Sequence, residues 1–141
     1  MTTDVHDPET RSFNMSRIRG KDTKPEVKLR SLLHQAGFRF RIHDSRLPGK
    51  PDIVLPRYRS VIFVNGCFWH RHEGCKYCTT PATRKDFWDK KFSDTVQRDQ
   101  AKNQQLEETG WDVFIVWECE LKNDAERVLR FLIDELQKKV A

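Results

Sequence analysis

Residues 65–88, NGCFWHRHEGCKYCTTPATRKDFW, hold three of the four cysteines, two of the five histidines and two of the four tryptophans. Cys67, His72 and Cys75 are separated by four and two residues, a cluster that one tetrahedral zinc could accept. A fourth ligand would close the site. Cys119 and Cys78 are both available, and a closed four-ligand site is structural rather than catalytic. The competing reading of these thiols is small buried hydrophobes. A redox role for Cys75-Lys76-Tyr77-Cys78 lacks the strand-to-helix context of such motifs. His70 lies between Cys67 and His72 and is spare if the cysteines complete the site. An imidazole titrating near neutrality can take a proton from water. Pro51-Asp52 precedes a short apolar run, the place where restriction-type nucleases carry a metal-binding acid. The acidic-x-Lys that usually follows is absent, since the next run ends Phe63-Val64-Asn65. A hard cation such as Mg²⁺ on Asp52 would suit water attack on a phosphodiester.

The elements that must position these groups follow from periodicity. Thr23-Lys24-Pro25-Glu26 has the form of a capping box with proline in the first turn. Leu29, Leu32, Leu33 and Ala36 then give one apolar helix face, which Gly37 terminates. Glu26 is therefore either a cap or a catalytic acid. The alternation over 38–42 predicts a half-exposed strand with arginines on its wet face. Residues 52–55 and 61–64 predict central strands buried on both sides. A second helix opens at 83–86, carries Trp88, Phe92, Val96 or Thr95, and Leu106 inward, and ends at Gly110. Its thin apolar face predicts a break near Ser93-Asp94. Residues 113–117 form a third core strand leading into Glu118-Cys119, and Asp124 is the expected N-cap of a last helix. Helix, three strands, helix, strand, helix gives an α/β domain with a mixed sheet.

The chain has 141 residues, 37% hydrophobic and 33% charged, which suits one domain with a heavily charged surface. A net charge of +5 favours a polyanionic partner. No secretory signal and no span of roughly 20 apolar residues is present, so a cytoplasmic setting with reduced thiols and no membrane association is expected. The polar segment 1–22, with Arg11, Arg17, Arg19 and Lys21, reads as a frayed tail or a basic arm for a phosphate backbone.

Several motifs together resemble the very short patch repair endonucleases of bacteria. They are Arg11-Ser12-x-Asn14-Met15, Leu47-Pro48-Gly49-x-Pro51-Asp52, Gly66-Cys67-Phe68-Trp69-His70, Pro81-Ala82-Thr83-Arg84, Phe87-Trp88 and Val116-Trp117-Glu118-Cys119. The resemblance runs in order from about residue 5 to residue 121, and the Cys-Phe-Trp-His block is its most specific part. It implies a restriction-endonuclease-like fold with a basic arm over 1–22 and an endonuclease domain over 23–141. It also implies a nuclease that nicks the thymine-bearing strand at G·T mismatches left by deaminated 5-methylcytosine. By the same resemblance Asp52 and the Val64 carbonyl face Mg²⁺, His70 is the general base and Glu26 a supporting acid. Zinc falls to Cys67, His72, Cys75 and Cys119, with Cys78 in reserve. Phe68, Trp69 and Trp88 wedge into the stack beside the mismatch, and Met15 enters from the opposite groove. A mispair unstacks more cheaply than intact duplex, and each stacked ring returns roughly 1–3 kcal/mol. Asn65 departs from the pattern, where a histidine is common. A MutL-type repair protein is an implied further partner, and a monomer is expected because a mismatch has no two-fold symmetry. The alternative from a different class is a zinc-stabilised DNA-binding protein without catalysis, favoured by Asn65 and the absent acidic-x-Lys.

Overall fold

Apolar runs that are buried on both faces must lie between two layers of helix, and this chain builds that arrangement around four strands. A computed structural model describes residues 23–139. The arm 1–22 and its Met15 lie outside the described residues. The strands are β1 (Arg41–Ile42), β2 (Ile53–Leu55), β3 (Ser60–Asn65) and β4 (Asp112–Trp117), in spatial order β1-β2-β3-β4. The first three run antiparallel to their neighbours, whereas β3 and β4 are parallel, with Ser60 opposite Asp112 and Asn65 opposite Trp117. The helices are α1 (Lys24–Gln35), α2 (Lys85–Glu108) and α3 (Glu118–Lys138). The mixed α/β architecture expected from the sequence is present.

Alternation along the strands sorts side chains into two cores. Ile53, Leu55, Ile62 and Val116 join Leu29 and Leu33 of α1 and Leu121, Leu132 and Leu136 of α3. Val54 and Val61 face the other way, onto Leu106 of α2, with Phe63, Trp111 and Val113 alongside. Helices therefore cover both faces of β2 and β3, which is why these strands read as continuous apolar runs.

Three local expectations are corrected. The strand predicted over 38–42 pairs only at Arg41–Ile42, because Phe38 is drawn into the core against the Tyr58 ring, 5.5 Å away. Arg39 and Arg41 are exposed as expected. The break predicted near Ser93-Asp94 does not occur, and α2 continues for 24 residues. Exposed i,i+4 contacts cross that point: Lys90 Nζ reaches Asp94 at 3.2 Å and Gln97 reaches Ser93 at 3.4 Å. An additional helical segment, not expected from the sequence, starts at Glu118 directly after β4 and meets the last helix at a kink at Asp124. Glu120 makes that early start possible by accepting from the Trp117 backbone N–H at 2.9 Å. Asp124 still acts as a cap, since the backbone is non-helical there (φ −158°) and its Oδ1 accepts from Arg127 N at 3.1 Å.

The turn before Asp52 is packed tightly enough to fix that residue. Gly49 adopts φ +77°, and a Cβ there would lie 3.1 Å from Lys102 Cβ and 3.2 Å from Phe63 Cζ. Gly49→Ala is expected to destabilise the fold by about 1–3 kcal/mol. An unchanged urea midpoint would show that the turn is free to move off α2.

Candidate active site and metal-ligand cluster

Parallel pairing of β3 and β4 brings the chain ends that leave them to one end of the sheet. The loop holding Cys67 and the start of α3 holding Cys119 therefore meet. Cys67 Sγ lies 3.6 Å and Cys119 Sγ 3.4 Å from His72 Nδ1. With Cys75 Sγ, these four ligand atoms all fall within 4.8 Å of one another. Cys78 is outside the group, and its backbone N–H donates to the Cys75 carbonyl at 3.0 Å. The His72 ring is stacked on Trp117 at 4.2 Å and 5°. Glu118 Oε1 accepts from Cys67 N at 3.1 Å, which ties the loop to the first turn of α3. Burial pushes the Cys67 thiol up to about 12. Three sulfurs and one imidazole converging in a loop with little apolar support are a donor set that fits a structural metal ion.

A second group of metal-type ligands sits nearer the middle of the sheet. Asp52 immediately precedes β2, and its Oδ2 accepts from the Val64 backbone N–H at 2.7 Å. Val64 thus stands beside Asp52 and engages it through its N–H. Glu26 is buried on α1, and Thr23 Oγ1 accepts from its backbone N–H at 3.4 Å. Only that half of the anticipated capping box forms. The Glu26 carboxylate turns inward instead, to His43 Nε2, with Arg30 Nη1 at 3.7 Å. The ligand atoms of Glu26, His43 and Asp52 also lie within 4.8 Å of one another. Burial pushes the Asp52 carboxyl up to about 6, the charge of Glu26 adds to this, and Val64, His43 and His70 oppose it.

His70 Nδ1 faces Asp99 Oδ2 on α2 at 2.6 Å. With Nδ1–H donating to the carboxylate, the Nε2 lone pair is left to accept a proton. Beside it, Phe68 and Trp69 meet edge to face at 5.0 Å, and Trp88 of α2 approaches them at 6.0 and 5.9 Å. All three rings are half-buried. Arg71 supports this group. Its guanidinium lies 3.8 Å over the Phe92 ring and donates to the carbonyls of Phe68 and Thr79 at 3.1 and 2.9 Å. Arg84 over Phe87 and Lys91 near Trp69 add positive charge around the aromatics.

Comparison with known proteins places the chain in a family. The family model described as DNA mismatch endonuclease Vsr matches residues 3–76. The DNA mismatch endonuclease Vsr of Escherichia coli K12 is 46% identical over 134 residues, covering 95% of this chain and 85% of that protein. The chain belongs to the Vsr DNA mismatch endonuclease family. It is also 47% identical over 134 residues to the type II nicking enzyme V.XorIIP of Xanthomonas oryzae, covering 94% of this chain and 98% of that protein. Similarity to the nicking enzyme V.NmeAIP of Neisseria meningitidis is 45% over 141 residues, covering 98% and 99%. Its membership makes the chain a DNA endonuclease.

In this Vsr-family chain the structure brings Asp52, Val64 and Glu26 together. It likewise groups Cys67, His72, Cys75 and Cys119, and clusters Phe68, Trp69 and Trp88. Two participants were missed from the sequence, His43 and Asp99. Asp99 carries no sequence signal, because it meets His70 only through the packing of α2. His43 had one: it ends the run that pairs with the run Asp52 begins, so one hairpin sets them side by side. No helix among the described residues is long and apolar enough to cross a membrane.

The raised Asp52 carboxyl has a consequence for stability. As pH rises through 3.8 the unfolded chain ionises first, so native stability falls until about pH 6 and the deficit is complete above it. In Mg²⁺-free buffer Asp52→Asn is therefore expected to stabilise the protein by about 1–3 kcal/mol at pH 7.5. The gain should vanish below about pH 4. Thermal unfolding across that range checks it, and a destabilised Asp52→Asn at pH 7.5 would contradict the burial cost.

Proposed function

We propose that this chain nicks the thymine-bearing strand of DNA at G·T mismatches, by Mg²⁺-dependent hydrolysis of a phosphodiester. The observation that carries the reading is the His70–Asp99 pair, whose imidazole acts electrostatically on Asp52 and directly follows Trp69 of the ring cluster. Asp52 and the Val64 carbonyl would hold Mg²⁺, and the bound ion would stabilise charge developing on the phosphate oxygens. His70 Nε2 takes the proton of the attacking water as the new P–O bond forms and the bridging P–O bond breaks, the departing oxygen taking a proton from solvent water to leave as a strand-end hydroxyl. Asp99 keeps the imidazole in the tautomer that can do this and stabilises its positive charge afterwards. Glu26, pinned by His43, orients water near Asp52. Asn65, buried at 7% exposure at the end of β3, can hydrogen-bond a phosphate or water but cannot supply a proton as a histidine would.

Phe68, Trp69 and Trp88 supply the wedge. Their mutual edge contacts pre-order the rings, so inserting them sacrifices little side-chain freedom, and the mispair yields at lower cost than intact duplex. The arm 1–22, with Met15, is assigned to the opposite groove. Cys67, His72, Cys75 and Cys119 are assigned to one structural zinc that braces the loop carrying His70 and the rings. The protein acts as a monomer in the bacterial cytoplasm, on duplex DNA, with a MutL-type repair protein as a further partner.

Two experiments test this. On a strand-labelled duplex with one G·T pair, a nick in the thymine strand is expected with Mg²⁺ and none without it. Asp52→Ala and His70→Ala should each slow nicking by at least about 100-fold while still binding the mismatch. A variant that nicks normally removes that residue from the mechanism, and absence of any strand-specific nick leaves a non-catalytic DNA-binding protein. Metal analysis should find about one zinc per chain, retained by Cys78→Ala and lost from Cys119→Ala. The reverse pattern would exchange the two thiols.

A further inference from the structure

His43 has no part in the scheme expected from the sequence, yet four features fix it at the cation site. Its backbone N–H donates to the Asp52 carbonyl at 3.2 Å, one step beyond the Ile42–Ile53 pair, so the hairpin ties the two residues directly. Its φ is +49°, a left-handed conformation uncommon outside glycine that takes it out of strand geometry. The following turn is held by Arg46, whose Nε and Nη2 both bond the Asp44 carboxylate at 2.9 Å. The His43 side chain is 9% exposed and directed onto Glu26, which is 3% exposed.

A buried and a half-buried carboxylate beside an imidazole form a group whose negative charge a proton or a cation must offset. In the cation-free protein His43 Nε2 and Glu26 Oε2 share a hydrogen bond. All three ligand atoms lie within 4.8 Å of one another, near the roughly 4–4.5 Å between opposite ligands of one ion. Replacing the shared proton by a divalent ion frees Nε2 as a donor without moving the backbone. Imidazole nitrogen binds Mg²⁺ poorly and first-row transition ions better, whereas carboxylates accept both.

We propose that His43 is a further protein donor of the catalytic cation site, making with Asp52 and the adjoining Glu26 a mixed carboxylate–imidazole set that takes Mn²⁺ more tightly than Mg²⁺. This rests on the reading of Asp52 as a cation ligand. His70 is a separate imidazole, held by Asp99, and supplies no ligand.

Pulsed electron paramagnetic resonance of Mn²⁺ bound to the zinc-replete protein tests the assignment independently of nicking. A directly coordinated imidazole nitrogen is expected in the wild-type spectrum, with the coupling altered by ¹⁵N-histidine labelling. It should persist in His70→Gln and disappear in His43→Gln. Mn²⁺ affinity should fall at least about tenfold in His43→Gln, and Mg²⁺ affinity by less. Absence of nitrogen coupling in the wild type overturns the proposal without recourse to any variant, as does its persistence in His43→Gln. If Mn²⁺ binding depends on Asp52 but shows no nitrogen, only His43 loses its role. If Asp52→Asn binds Mn²⁺ unchanged, the cation site itself falls, and the proposed function with it.

Discussion

The parallel pairing of β3 with β4 is the constraint on which the rest of the molecule depends. Six residues of each strand are in register, and because the strands run the same way, their exits open at one end of the sheet. From β3 the chain leaves into the cysteine–histidine loop, and from β4 it passes without a linker into α3. Asn65 opposite Trp117 thus sets Cys67 near Cys119, residues more than fifty positions apart. A parallel pair needs a long crossover. Here the crossover is α2, which packs Leu106 under the sheet and brings Asp99 and Trp88 to the same end. One connection therefore delivers Cys119, Asp99 and Trp88 to the same end of the sheet.

The loop between β3 and α2 has few apolar side chains with which to hold its own shape. It is held by polar and aromatic contacts: Glu118 on Cys67 N, Trp117 beneath His72, and Arg71 spanning from Phe68 to Thr79 while lying over Phe92. Each contact locks one functional side chain by its neighbour. In sequence His70 falls between Trp69 of the ring cluster and His72 of the sulfur group, so bracing those neighbours also restrains the imidazole.

The cluster of Glu26, His43 and Asp52 departs from what a stable core prefers. Glu26 is buried and Asp52 half-buried, and burial raises the Asp52 carboxyl well above its usual range. The fold keeps them there with His43, Arg30 and the Val64 N–H rather than with apolar contacts. An arrangement that destabilises the cation-free protein is suited to a site whose charge is completed by a ligand. The cost is borne by two well-filled cores on either side of β2 and β3.

By itself, the sequence determined what is local or carried by residue type. The helix start at Thr23, its stop at Gly37, the doubly buried strands and the α/β class follow from periodicity and capping, which act over a few residues. Cys67, His72 and Cys75 were visible as a group because they share one loop, and the block Gly66–His70 carried the family resemblance. Tertiary structure decided what depends on long-range approach. It chose Cys119 over Cys78 for the four-residue group, turned Glu26 from a cap into a member of the Asp52 cluster, and added His43 and Asp99. It also kept α2 continuous where its thin apolar face suggested a break, and added a helical segment from Glu118, with one Glu120 contact at its start, ahead of the cap at Asp124. The physical reason is common to these cases. A side chain with several feasible partners is committed only when strand register and helix packing bring one of them within bonding distance, and neither is written in local sequence.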